Sequence, residues 1–126
     1  MCSSRKQFYS CFEVDQGHIL QQGLAKNQKR LALNDEDIAS IVRNGELNID
    51  RCETRGNTVQ IAVEGLFKDF SWIDYSGTGP MTEKIEPNAQ IRVIVRERKP
   101  KHLVVTAYVL DPPENRVIVE VSRGIW

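Results

Sequence analysis

The residues of this chain best suited to chemistry are cations gathered in its last third. There Ile91-Arg-Val-Ile-Val-Arg-Glu-Arg-Lys-Pro-Lys-His-Leu-Val-Val-Thr-Ala-Tyr-Val-Leu110 reads as two apolar strands joined by a basic turn. Arg92, Arg96, Arg98, Lys99, Lys101 and His102 stand beside that hairpin, although Lys and Arg number 17 against 17 Asp and Glu in the whole chain. A neutral chain that concentrates cations in one place points to an anion, and arginine forks suit phosphate oxygens. The competing reading is that these cations guard a sheet edge against association. Arg92 and Arg96 share a strand face, but Ile94 lies between them on it and interrupts the basic row.

The elements that must position these groups are legible in part. A chain of 126 residues is one domain, residues 1–126, long enough to bury about two thirds of its unfolded surface. Cys2, Cys11 and Cys52 are an odd number without a Cys-x-x-Cys spacing, so they read as free thiols of a reducing compartment, with structural zinc disfavoured. No apolar run approaches the roughly 20 residues of a membrane span, and the first residues lack the apolar core of a secretory signal. The expectation is a cytoplasmic site of action without membrane contact. A toxin domain cut from a larger secreted polypeptide would read the same way.

Phe8 to Val14 fits either a short strand or a helical lead-in. From Gln16 to Leu31 the spacing is helical: Leu20, Leu24 and Leu31 fall in one arc, and His18, Gln22, Lys26 and Lys29 lie on the opposite side. A second helix begins at the capping residue Asn34, carries Asp35, Glu36 and Asp37 in its first turn and Ile38, Ile41 and Val42 on its apolar face, and stops at Asn44-Gly45. Two strands, Leu47 to Glu53 and Thr58 to Val63, are joined by Arg55-Gly-Asn57, and their alternation predicts one wet face. Phe67 to Asn88 has no clear period and holds Phe70, Trp72 and Tyr75 before a Gly/Pro loop. It predicts an insertion at 69–90, with the aromatic residues serving packing. After Asp111-Pro-Pro-Glu-Asn115 a last strand is expected over Arg116 to Val121. The predicted fold is α+β, two N-terminal helices packed on a four- to five-stranded antiparallel sheet.

Several of these motifs resemble a known group. A leading His on a helix, later basic residues, the capped helix Leu-Asn-Asp-Glu-Asp-Ile-Ala-Ser-Ile-Val-Arg-Asn-Gly-Glu46 and the late strand Leu-Val-Val-Thr-Ala-Tyr108 look like the compact bacterial ribonuclease toxins: barnase, RelE-type interferases and polymorphic toxin tips. The resemblance covers roughly Gly17 to Leu110. It implies a metal-independent ribonuclease, needing no cofactor, that drives the ribose 2′-hydroxyl onto its own phosphodiester. Such chemistry needs a base, an acid and cations around the phosphorane.

On that resemblance His18 would be the general base or acid, since imidazole titrates nearest neutrality. Lys29 or Arg30 would hold the scissile phosphate. Thr106 and Tyr108, on one face of their strand, would bind the phosphate or orient His18. Lys26, Arg92, Arg96, Lys101 and His102 are the candidate RNA-binding groups, and His102 is the second proton-transfer candidate. Gln22 stands where the pattern would place a first arginine. The alternative class is a non-enzymatic protein-binding module, such as an immunity or antitoxin-like regulatory protein. In that reading the acidic turn Asp35–Asp37, the basic hairpin and the aromatic stretch are partner surfaces. Either class leaves room for a cognate antitoxin or immunity partner.

Overall fold

The computed structural model describes residues 12–26, 28–74, 79–98 and 101–123. The chain runs β1 (Phe12–Val14), α1 (Gln16–Lys26), a 3₁₀ turn (Gln28–Ala32), α2 (Asp35–Asn44), β2 (Glu46–Leu47), a second 3₁₀ turn (Ile49–Arg51), β3 (Glu53–Arg55), β4 (Thr58–Asp74), β5 (Thr82–Arg96) and β6 (His102–Val109). The strands form one six-stranded sheet of order β1-β6-β5-β4-β2, with β3 also pairing with β4. Helices pack on this sheet, so the α+β class holds. The sheet is larger than expected and mixed, because the ambiguous Phe12–Val14 joins β6 in parallel at Phe12↔His102.

α2 forms where its punctuation places it. The Asn34 side chain accepts from the Asp37 amide at 2.9 Å, three acids complement the positive end of the dipole, and Ile38, Ile41 and Val42 are fully buried. α1 departs from its leucine stripe: Ile19 is buried, while Leu20 is 51 % exposed. The helix ends at Lys26 and resumes only as the tighter turn Gln28–Ala32. A 100° phase counted from Leu20 to Leu31 does not survive that break.

The β3–β4 hairpin closes through Gly56-Asn57, with Arg55 opposite Thr58 and Gly56 at φ +59, a conformation glycine adopts without penalty. Residues 69–90 are not an insertion. They complete a long hairpin in which β4 and β5 stay in register from Gln60↔Arg96 to Asp74↔Thr82. Periodicity fails there because Asp69 sits at φ +55 beside Pro87, which has no amide to donate. The turned backbone buries both Phe67 and Phe70, three residues apart, with ring centroids 6.4 Å apart. The aromatic stretch thus packs, as its composition suggested, while Tyr75 lies outside the described residues.

The core lies between the helices and one sheet face. Ile38, Ile41 and Val42 of α2 meet Val63 and Phe67 of β4, Ile91, Val93 and Val95 of β5, and Val104, Ala107 and Val109 of β6. Each of the Val, Ile and Phe side chains contributes about 1.5–3 kcal/mol when fully buried. Gly65, opposite Ile91, belongs to this face because a Cβ there would come within 2.6 Å of Ile41 Cδ1 and 2.7 Å of Val121 Cγ2.

The predicted last strand does not form. Arg116 to Val121 makes a single parallel bridge, Leu66↔Glu120, within an irregular strap that leaves β6 at Leu110 and crosses the opposite sheet face. It starts where the Leu110 amide donates to the Gln90 carbonyl at 2.8 Å. It ends beside β4, where Leu66 donates to Val119 at 2.8 Å and receives the Val121 amide at 2.9 Å.

Candidate functional site

Beneath the strap lies a polar row set by strand register. Glu46 of β2 stands opposite Glu64 of β4, Glu64 opposite Arg92 of β5, and Arg92 opposite Tyr108 of β6. Gln90 lies two residues from Arg92 on the same face. The alternation of β4 suggested a wet face, but Glu64 is completely buried, Gln90 is 3 % exposed and Arg92 is 5 % exposed. The strap makes the difference.

The Glu64 and Arg92 charges are paired, while Glu64 Oε1 and Gln90 Nε2 are buried without a hydrogen-bond partner. Arg92 Nε donates to Glu64 Oε2 at 2.7 Å, its Nη1 to the Tyr108 hydroxyl oxygen at 3.2 Å, and its Nη2 to Glu114 Oε1. Asn48 Nδ2 donates to the same Glu64 oxygen at 2.7 Å, and Arg116 of the strap comes within 3.5 Å of Glu64 Oε1. Arg51 Nη2 shares Glu114 Oε1 at 3.2 Å. Burial works against the Arg92 charge, yet its bonds to Tyr108, Glu64 and Glu114 outweigh that and raise its pKa. The hydrogen bond from Arg92, with burial opposing it, holds the Glu114 carboxyl below its ordinary value.

The sequence-predicted residues fall into three groups. Arg30, Tyr108, Thr106 and Arg92 meet at one end of β6. The Arg30 guanidinium lies 5.0 Å from the Tyr108 ring centroid, its pKa lowered by burial and partly restored by Tyr108. Thr106 is two residues away, with a buried Oγ1 that has no hydrogen-bond partner in the structure. Lys29, nearby, is engaged by Glu86 and Asp111 and lies 5.6 Å from the Trp72 centroid. Burial disfavours its charge, but the two carboxylates win and its pKa rises.

The second group lies at the far end of β6. Arg96 and Lys101 are exposed there. His102, expected as an RNA-binding and second proton-transfer group, is instead buried at 6 % exposure, accepts the Arg98 amide on Nδ1 at 3.2 Å, and is held below the usual imidazole value by burial, with Glu97 partly opposing. It lies beside β1 in the sheet, its register partner being Phe12. His18 stands apart in the first turn of α1, where its backbone amide donates to Asp15 Oδ1 at 3.2 Å. Among the described residues its imidazole has no hydrogen bond or ion pair. The Lys26 side chain, Lys99, Cys2 and Cys11 lie outside the described residues.

Two expectations about exposed charge are corrected here. Arg92 is a buried member of an ion-pair network and does not present itself at the surface. Asp37 of the acidic turn is 3 % exposed and paired with Arg123. Arg123 also donates to the Ala32 carbonyl at 3.1 Å and lies 5.4 Å and 5.0 Å from the Phe67 and Phe70 centroids. Sequence reasoning missed Glu64, Asn48, Gln90 and Glu114. The available signal was Glu64 itself, directly after the apolar Ile-Ala-Val63 in a strand whose neighbours supply Arg92.

Among the described residues no three His, Cys, Asp or Glu side chains are grouped to hold a metal ion, and no helix is long and apolar enough to cross a membrane. No protein-family model, characterised protein or solved structure matches the chain.

Proposed function

We propose that this protein is a non-enzymatic protein-binding module, of the class to which immunity and antitoxin-like regulators belong, and that the strap-covered polar face is its working surface. The observation that carries this is the Glu64–Arg92 pair, buried at the centre of the sheet and completed by a side chain of the strap. Burying such a pair contributes little net stability compared with apolar residues of the same volume, so its presence favours a role in recognition. Two of the cations nominated for phosphate are meanwhile held by internal carboxylates, Lys29 by Glu86 and Asp111, and Arg92 by Glu64 and Glu114.

A ribonuclease reading has one observation of its own: Arg30 stacked on Tyr108 beside the unpartnered Thr106 hydroxyl. In it His18 remains the proton-transfer group and Arg30 the phosphate ligand. One experiment separates the two readings. The purified protein and His18→Ala are incubated with total RNA in excess EDTA, and the immobilised protein and Arg51→Glu are tested for a stoichiometric protein complex from the source cells. The module reading expects intact RNA and a complex weakened about ten-fold or more by Arg51→Glu. RNA fragments that vanish with His18→Ala would overturn it in favour of transesterification.

A further inference from the structure

We infer that Arg92, positioned by Tyr108, and Arg51 form a carboxylate-binding site, that Glu114 of the strap is its occupant within the chain, and that an acidic side chain of a partner protein takes the same place. The inference rests on the module reading and names the chemistry of its site.

The site is built before Glu114 enters it. Arg92 is fixed from behind by Glu64 and laterally by the Tyr108 oxygen, which leaves Nη2 as the donor aimed at the strap. Arg51 reaches the same carboxylate oxygen from the Ile49–Arg51 turn, on a side chain 57 % exposed. Two guanidinium groups on one oxygen make a charge-assisted receptor, one member buried and rigid, the other at the solvent edge.

The occupant is the less fixed part. Glu114 sits in irregular chain between the strap's anchors at Leu110 and at Val119 to Val121, and its side chain is 31 % exposed. Pro112, Pro113, Asn115, Arg116 and Val117 around it are exposed. A competing carboxylate can therefore displace Glu114 without undoing either anchor.

The charge of the pocket selects the ligand. Arg92 already shares its charge with Glu64, so a dianionic phosphate would face a buried carboxylate across the guanidinium, whereas a singly charged carboxylate reproduces what Glu114 supplies. Exposed Ile49 and Val117, with Val119 partly so, lie on the turn and the strap that border the site, and they suit an acidic residue flanked by apolar ones in a polypeptide.

The test follows the arginine Nε–H signals of Arg92 and Arg51 by ¹⁵N NMR during titration with acetate, with N-acetyl-glutamic acid amide and with inorganic phosphate. Wild type, Glu114→Ala, Glu114→Gln and Glu114→Ala/Arg51→Ala are compared. Both carboxylates are expected to saturate Glu114→Ala with shifts at Arg92, about ten-fold or more tighter than in wild type, where Glu114 competes. Removing Arg51 weakens that binding, and phosphate binds less well than acetate. If Glu114→Ala fails to fold, Glu114→Gln keeps the shape, removes the charge and gives the same reading. Equal binding to wild type and variant, absence of a saturable shift in a folded variant, or tighter binding of phosphate would each overturn the inference. If carboxylate fails while Arg51→Glu still weakens a protein complex, only the ligand assignment falls. If RNA is cleaved through His18, the module reading falls with it.

Discussion

The two faces of the sheet use the same strands and solve opposite problems. On the helix side, Val63, Phe67, Ile91, Val93 and Val109 alternate along β4, β5 and β6 and are covered by α2, whose apolar residues are equally buried. On the strap side, the intervening residues Glu64, Gln90, Arg92 and Tyr108 are covered by irregular chain that supplies the missing charges. The first face is held by area removed from water, which tolerates substitution of similar volume. The second depends on partners, and losing one leaves another buried and charged.

The comparison breaks first at the largest side chains. Phe67→Ala is expected to cost about 3–5 kcal/mol in chemical denaturation, with no single neighbouring change restoring it, because the loss is one of packing. Arg92→Met is expected to cost a similar amount, about 3–5 kcal/mol, by stranding Glu64, but Glu64→Leu/Arg92→Met should recover most of it. If the double variant were as unstable as Arg92→Met alone, the polar face would be holding the fold and not reserved for recognition.

Smaller, and sharper in pH, are two titrations at different ends of β6. His102 is held below its ordinary 6.5, so the unfolded chain takes up a proton first as acid is added. Its contribution is full above pH 6.5 and declines as pH falls from there toward the folded value. His102→Gln should flatten that part of a stability profile. Glu114 is held below its ordinary 4.5 by Arg92, so its hold on the strap is present above that value and is lost as pH falls through the lower folded one. Glu114→Gln should remove the loss at the more acid end and leave the His102 step in place.

How much of this was legible follows from which periods survive in the chain. α2 was readable because its cap, its acidic first turn and its apolar face are all local, and the β5–β6 hairpin because its apolar runs are long. The Phe67 to Asn88 stretch was not, since one left-handed residue, Asp69, opposite Pro87 resets the alternation and mimics a loop. The strap misled in the other direction: Arg-Val-Ile-Val-Glu-Val121 has the composition of a strand, but its position leaves it one bridge to β4. For the candidate site, Arg92 was picked out by type, and Tyr108 and Arg30 by resemblance. Glu64 and Glu114 were not, because their meaning lies in register and in a crossing of the sheet that no local pattern records.

The account's central claim is that the polar face is covered by a segment able to leave it while the sheet stays folded. Native-state amide exchange over residues 111–118, compared with the centres of β4 and β5, tests this most directly. We expect the amides between the anchors, including that of Arg116, which donates to the Glu114 carbonyl, to open well below the free energy of the Val63 and Val93 amides, while the Val121 amide anchored on Leu66 stays protected; carboxylate-bearing peptide should speed exchange around Glu114 by displacing it. Strap protection equal to that of the sheet, both exchanging only by global unfolding, would contradict the claim and make the polar row a structural core.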